Sequence, residues 1–374
     1  MARLGDVATY INGYAFKPED WSDTGLPIIR IQDLTGNSYQ ANRYNGEYAP
    51  KYEVNDGDVL ISWSASLGVY IWHGEKALLN QHIFKVVFDK TDISKSFFVH
   101  QVENILEKAA SSAHGATMKH LTKPVFDALP FYLPPLDKQR KIAAVLDKVS
   151  GLIAKRRQQL EKLDEMVKAR FVEMFGTLSH PSQKFKYDIL KNLCRKITDG
   201  KHGGCTPQLG SGRYFVGARE IFDDTVHYET APEIAIDEFE KDYKRCNLEI
   251  GDLLIVNTGA TIGKSAIACD FRAQHTLLQK SVALLKVKSE LINPVFLKYC
   301  YRVNETMYKV ESASAQPNLL LSKINTTSIY VPPMALQNQF AAFIEQTEKS
   351  KTTISHSLEK LEILKKALMQ EYFG

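Results

Sequence analysis

Leu133-Pro134-Pro135-Leu136-Asp137-Lys138-Gln139-Arg140-Lys141-Ile142-Ala143-Ala144 returns 198 residues later as Val331-Pro332-Pro333-Met334-Ala335-Leu336-Gln337-Asn338-Gln339-Phe340-Ala341-Ala342. The offset holds downstream, carrying Leu160 onto Leu358, Leu163 onto Leu361 and Glu173-Met174-Phe175-Gly176 onto Glu371-Tyr372-Phe373-Gly374. Upstream it carries Gln81 onto Gln279 and Phe98 onto Phe296 without a gap. Nearer each start it shrinks: Gly57-Asp58-Val59-Leu60-Ile61 matches Gly251-Asp252-Leu253-Leu254-Ile255 at 194, and Leu4 to Ile11 match Leu190 to Ile197 at 186. Chance supplies one Pro-Pro match, not an ordered series, so the chain reads as two copies, 1–176 and 177–374.

Each copy changes periodicity at its Pro-Pro pair. Before it lie short β-branched and aromatic runs such as Pro27-Ile28-Ile29-Arg30-Ile31 and Ile83-Phe84-Lys85-Val86-Val87-Phe88, punctuated by Gly, Asn and Asp turns. A helical stretch near Phe97 to Lys108, echoed near Pro294 to Val303, makes the class α+β. After the pair, apolar residues recur at Leu146, Val149, Ile153, Leu160, Leu163, Val167 and Met174, alternating steps of three and four. Ile344, Ile354, Leu358, Leu361, Leu368 and Tyr372 keep that register in the second copy, interrupted by Thr347, Lys351 and Lys365.

The divisions expected are therefore a mixed domain over 1–135, a central helix over 136–176, a second mixed domain over 177–333 and a C-terminal helix over 334–374. Neither helix can bury its seam alone. Pairing them as an antiparallel coiled coil with pseudo-two-fold symmetry is the economical geometry, with Ile153, Leu160, Leu163, Val167, Ile354, Leu358, Leu361 and Leu368 in the seam. The alternative, each helix docking on its own domain, stays open. The Gly57-Asp58 and Gly251-Asp252 pairs read as turns entering buried strands.

Composition narrows the function. With 374 residues, 44% hydrophobic and 24% charged, the chain is globular. No stretch reaches the ~18 apolar residues of a membrane span, and Met1 to Asp6 shows no signal run, so a cytoplasmic protein is expected. Five cysteines without a C-x-x-C pair read as structural thiols. The net charge of +4 permits DNA without demanding it. Charge is local, however: Asp137 to Arg170 holds ten basic and five acidic residues, densest at Lys155-Arg156-Arg157, a surface for acidic partners or phosphates, or an ordinary solvated face.

Enzyme motifs fail on inspection. Gly259-Ala260-Thr261-Ile262-Gly263-Lys264-Ser265 has one residue too few between its glycines to ring a phosphate. An amino-methyltransferase motif needs a polar residue before Pro-Pro and an aromatic after, which neither copy has. His202-x-x-Cys205 finds no second ligand pair, so no metal is expected. No intrinsic catalysis and no cofactor are expected of this chain.

The duplicated Pro-Pro-x-x-x-Gln before a long heptad helix, the duplicated Gly-Asp-[Val/Leu]-Leu-Ile and the openings Ile11-Asn12-Gly13-Tyr14-Ala15-Phe16 and Thr198-Asp199-Gly200-Lys201-His202 give the whole chain a family likeness. It resembles the specificity subunit of type I restriction-modification systems. The resemblance implies two target-recognition domains, each reading half of a split site in double-stranded DNA, and helices forming a spacer that docks two modification (methyltransferase) subunits. It also implies restriction subunits in the full complex, with S-adenosylmethionine, ATP and Mg on partner subunits only, and no membrane. Gln139, Arg140, Lys155, Arg157 and Gln337 are the candidates for partner contact. Arg140 stands opposite Asn338, so the two helices need not bind partners identically.

Base discrimination needs side chains whose donors and acceptors match base edges. The candidates are Tyr14, Lys17, Arg30, Gln32, Ser64, Lys119 and His120 in the first copy, with Arg30 and Gln32 on one face of an Ile28–Leu34 strand. In the second they are Lys201, His202, Arg213, Arg219, Thr258, Lys264, Gln316 and Asn318. Lengthening the spacer by insertion between Gly176 and Gln183 is expected to change the gap between half-sites. A non-enzymatic coiled-coil adaptor is the alternative; a DNA reader, unlike it, loses affinity steeply with salt while preferring one bipartite sequence.

Overall fold

The computed structural model describes residues 1–37, 42–112, 122–309 and 317–374; Lys119, His120 and Gln316 lie outside the described residues. The chain divides into two compact units, residues 1–157 with 356–374, and residues 158–355. Each unit holds one mixed domain and a length of both long helices. No helix among the described residues is long and apolar enough to cross a membrane.

In the first unit an antiparallel sheet runs in the order Thr9–Asn12, Ile83–Val87, Val59–Ser62, Gly68–Ile71. Beside it Leu26–Ile29 pairs in parallel with Ala77–Leu79. The second unit repeats the plan with Cys194–Asp199, Val282–Val287, Leu253–Val256 and Ser265–Ile267, and with Tyr214–Val216 parallel to Thr276–Leu278. The fold is α+β, twice. Val59–Ser62 and Leu253–Val256 are buried along their whole length, which explains the apolar runs Val59-Leu60-Ile61 and Leu253-Leu254-Ile255-Val256. The Gly-Asp turns before them work alike: Asp58 accepts the Asn55 N–H at 2.9 Å and Asp252 accepts the Glu249 N–H at 2.8 Å, after glycines at φ +83° and +95°.

The ladders correct the gapless alignment. Gly13 N–H reaches Ile83 O as Gly200 N–H reaches Val282 O, and Ile61 pairs Phe84 as Ile255 pairs Ala283. The offset through these last strands is thus 199, one more than the sequence match gives. Asn80, Gln81 and His82 correspond to Gln279, Lys280 and Ser281, and Phe97, not Phe98, corresponds to Phe296.

The long helices run Leu136–Phe175 and Met334–Phe373. In the first unit Ile142, Leu146 and Met369 share one core, and Arg157 meets Glu362 at 2.7 Å, so the two chains run in opposite directions. In the second, Val167 and Phe171 share a core with Phe340 and Ile344, and Asp164 meets Lys351 at 2.7 Å, again antiparallel. Ile153 and Val167 are buried, and Leu160, Leu163, Ile354, Leu358, Leu361 and Leu368 half-buried, as a seam requires. The interruptions are satisfied: Thr347 Oγ1 donates to Phe343 O, Lys351 pairs with Asp164, and Lys365 pairs with Glu103 at 3.1 Å.

The motif glutamines are staples. Gln139 donates to Pro134 O at 2.8 Å and accepts the Ser94 N–H at 3.0 Å; Gln337 donates to Pro332 O at 2.8 Å and accepts the Asn293 N–H at 2.8 Å. Each ties the Pro-Pro segment and the first helical turn to the start of the helix that docks on it. At 1% and 0% exposure, they have no surface to offer a partner, which corrects that expectation. Arg140, Lys155 and Arg157 are exposed, the last in its ion pair with Glu362.

Candidate nucleic-acid interface

In the second unit, a close crossing of backbone assembles one rim. A Cβ on Gly200 would fall 2.0 Å from Leu278 O, so only glycine lets the chain pass. Lys201 N–H then donates to Leu278 O at 2.7 Å and Lys280 N–H returns to Lys201 O at 2.9 Å. Gln279 N–H donates to Val216 O, Asn257 N–H to Ser281 O, and Ala218 N–H to Ser281 Oγ. Thr258 Oγ1 meets Asn318 Oδ1 at 3.2 Å, and Gly259 N–H reaches Pro317 O. Five loops are thus knitted at one end of the strands, bringing Lys201, His202, Arg219, Thr258, Lys264 and Asn318 together.

Their chemistry differs. Lys201 lies 2.7 Å from Asp242 and 3.1 Å from Glu238, and Asp242 first, then Glu238, holds its ammonium above the ordinary lysine value. Glu238 is held down to about 2, chiefly by the Thr206 hydroxyl and then by Lys201. Lys201 therefore fixes its loop and is not a free cation. His202 is exposed, 3.4 Å from Asp199, and Arg219 and Lys264 are exposed. Arg213 stands at the opposite end of strand Tyr214–Val216, its guanidinium 5.0 Å from the Phe239 ring centre, away from the rim.

The first unit builds the same crossing. A Cβ on Gly13 would meet Asn80 O at 1.9 Å. Tyr14 N–H donates to Leu79 O, Gln81 N–H to Tyr14 O, Asn80 N–H to Ile29 O and Trp63 N–H to His82 O. Tyr14 is exposed, its ring against Phe16 and Tyr52. Arg30 and Gln32 do not share a strand face. The strand stops at Ile29 because Asp33 accepts the Arg30 N–H at 2.8 Å and starts a one-turn helix, Ile31–Leu34. Arg30 still follows directly from the crossing, its side chain 3.5 Å from Asp33 and 6.0 Å over Trp21. Ser64 is 5% exposed, too deep to reach a base edge. Lys17 is exposed beside Glu19 at 3.7 Å.

Sequence reasoning missed the centre of each rim, Asn80-Gln81-His82 and Gln279-Lys280-Ser281. The signal was present. Three polar residues separate Ala77-Leu78-Leu79 from Ile83-Phe84, and Thr276-Leu277-Leu278 from Val282, where a continuous core strand would have stayed apolar.

The near-P-loop holds no anion cradle: its Gly259, Gly263 and Lys264 N–H groups donate to Pro317, Val256 and Thr261 carbonyls. Among the described residues no group of three or more His, Cys, Asp or Glu side chains could hold a metal ion. Burial lifts the Cys194 thiol to about 12 and the Cys246 thiol to about 11.

Residues 1–163 and 208–364 match the family model described as the type I restriction modification DNA specificity domain. Over 99% of this chain, 24% of residues are identical to the type I restriction enzyme EcoBI specificity subunit of Escherichia coli, across 84% of that protein. The MjaVIII specificity subunit of Methanocaldococcus jannaschii is also 24% identical over 99% of this chain and 90% of its own length. Among solved structures, the type I restriction-modification S subunit from M. genitalium superposes over all of this chain and 95% of that one, with a TM-score of 0.58 at 14% identity, a likeness of fold. With the domain matched twice and most of the sequence covered, the chain belongs to the type I restriction-modification specificity subunit family, whose role is recognition of DNA sequence.

Proposed function

We propose that the chain reads a bipartite, gapped DNA site, one half-site per mixed domain, and directs partner methyltransferase and restriction subunits to it without making or breaking bonds itself. The observation that carries this reading is the rim built twice. Gly13 and Gly200 create the same crossing, and the same backbone hydrogen bonds hold it, while the side chains on top differ. A duplicated scaffold with unlike tips suits two half-sites of unlike sequence. Tyr14, Arg30, His202, Arg219, Thr258, Lys264 and Asn318 are the side chains proposed to approach DNA.

Partner recruitment falls to the outer faces of the long helices. Val145 and Leu152 in the first unit, with the exposed Arg140 and Lys155 on the same helix, and Met166 and Val172 in the second, are exposed residues outside the seam. Two methyltransferase subunits would dock there, bringing S-adenosylmethionine, with ATP and Mg on restriction subunits. The test is genome-wide mapping of methylated sites in a host expressing the chain with its methyltransferase partner. A two-part motif of fixed gap is expected. Methylation without sequence preference, or at one uninterrupted motif, overturns the reading.

A further inference from the structure

The duplicated crossing supports a sharper statement about two residues that the sequence pattern passed over. Gln81 and Lys280 occupy the same position of the two scaffolds: Gln81 N–H donates to Tyr14 O at 2.8 Å, and Lys280 N–H donates to Lys201 O at 2.9 Å. Each follows a buried parallel strand, Ala77–Leu79 or Thr276–Leu278, and precedes the central strand of the main sheet. Their backbone is fixed from both sides. Asn80 Oδ1 also accepts the Gln81 N–H at 2.9 Å, and Gln279 N–H is held by Val216 O. A side chain on such a ridge is aimed by the sheet, as precise base readout requires.

The side chains themselves are uncommitted. No described residue hydrogen-bonds the Gln81 side-chain amide, and none forms an ion pair with Lys280, which is exposed. Their chemistry differs in the way that matters for reading. A glutamine amide presents a donor and an acceptor together, matching adenine N6–H and N7, whereas a lysine offers donors only, matching the two acceptors of guanine O6 and N7.

We propose that Gln81 and Lys280 are specificity-determining residues at equivalent positions of the two half-sites, Gln81 reading an adenine and Lys280 a guanine. This rests on the DNA-reading function proposed above. The test uses the full chain with its methyltransferase partner and a duplex library randomised across the site, the methylated molecules being sequenced. Gln81→Lys moves one position of one half-site from adenine to guanine, a change in preference of roughly tenfold to a hundredfold, and leaves the other half-site as it was. Lys280→Gln does the reverse. Gln81→Ala and Lys280→Ala relax the same single positions, and keep the assignment testable should an exchange disturb the rim. An unchanged motif in all four variants overturns the proposal. So does a uniform loss across all sequences with a salt slope reduced by about one for Lys280→Gln, the signature of a phosphate contact. Failure of the underlying reading would look different, because the unaltered chain would then methylate the library without preference.

Discussion

The two mixed domains each dock a helix onto the long helices of their own unit over a buried apolar core, but surround that core with different groups. In the first unit helix Lys95–Ser112, whose Phe97, Val102 and Leu106 share a core with Ile142, Leu146 and Met369, adds a polar chain: Ser96 Oγ and His100 Nε2 reach Asp147 at 2.6 and 2.8 Å, and Glu103 meets Lys365 at 3.1 Å. At the corresponding places in the second unit stand Val295, Tyr299 and Arg302. There Phe296 packs on Phe171 and Phe175 with ring centres 5.8 and 4.9 Å apart, and Tyr299 packs on Phe340 at 5.2 Å. Lys298 and Arg302 pair instead with Asp224. One contact is common to both: Phe97 on Phe373 at 5.5 Å repeats Phe296 on Phe175. A backbone arrangement fixed by the Pro-Pro-x-x-x-Gln staple therefore tolerates either kind of filling. The two fillings are expected to differ in their sensitivity to salt and acid.

The largest expected effect exploits that difference. Phe340 is fully buried among Phe171, Phe175 and Tyr299, and Phe340→Ala leaves an aromatic-sized cavity costing about 3–5 kcal/mol. Its counterpart Ile142, buried in the first unit's apolar core, is smaller, so Ile142→Ala costs less, toward the lower end of about 2–5 kcal/mol. Hydrogen exchange under increasing urea, read on peptides from Pro294–Val303 and from Lys95–Ser112, separates the two. Equal losses would break the comparison.

The staples should erase it. Gln337→Ala strands the Asn293 N–H and Pro332 O, and Gln139→Ala strands the Ser94 N–H and Pro134 O, in each case about 1–3 kcal/mol for buried groups left unpaired. Both substitutions should loosen their own unit by similar amounts in the same exchange measurement. A loss in only one unit would mean that the motif has different jobs in the two copies.

These staples also mark how far sequence alone could go. The repeat and the heptads were legible because they are one-dimensional patterns: Leu160, Leu163, Leu358 and Leu361 announce a seam by spacing. The function of Gln139 was not, since a glutamine next to a basic run reads as surface until Ser94 is seen to fall beside it, 45 residues earlier in the chain. Strand register was hidden for a related reason. Ile83-Phe84-Lys85-Val86-Val87 can slide by one against Val282-Ala283-Leu284-Leu285-Lys286-Val287 without losing apolar matches, and the coincidence of Gln81 with Gln279 favoured the wrong slide. Only the ladder hydrogen bonds settle it. Arg30 and Gln32 failed by local competition, because the Asp33 carboxylate captures a backbone N–H that a strand would have needed.

A smaller effect tests the polar side directly. Glu103→Gln removes a half-exposed ion pair with Lys365, worth about 1 kcal/mol or less after solvent screening, and the loss should shrink further as salt rises. The pH dependence has a defined sign. His100 first, and Lys365 after it, hold the Glu103 carboxyl below the ordinary value of 4.5. A depressed folded value means that the contribution is complete above 4.5 and disappears as pH falls through the lower, folded value. Protection in Lys95–Ser112, taken relative to the intrinsic exchange rate at each pH, should therefore fall in acid more than protection in Pro294–Val303. Tyr299, at the place of His100, titrates only near 12, raised by burial. Parallel acid responses in the two helices would show that the network does not hold the first one.

The smallest effect concerns the insertion between Gly176 and Gln183, for which the sequence suggested a changed gap between half-sites. The segment is tied down inside the second unit. Gly176 N–H donates to Val172 O at 2.8 Å, Ser182 Oγ to Met174 O at 2.8 Å, and Tyr330 Oη to Gly176 O at 3.1 Å. Leu178 N–H donates to Asn304 Oδ1 at 2.7 Å. Thr177 and His180 exchange backbone hydrogen bonds across the exposed turn at Ser179, and residues added at the tip of that turn bulge outward at the modest cost of a longer surface loop. Methylated-site mapping of a four-residue insertion after Ser179 should return the original gap. A changed gap would mean that the ties yield before the loop grows, and would restore the segment as part of the spacer.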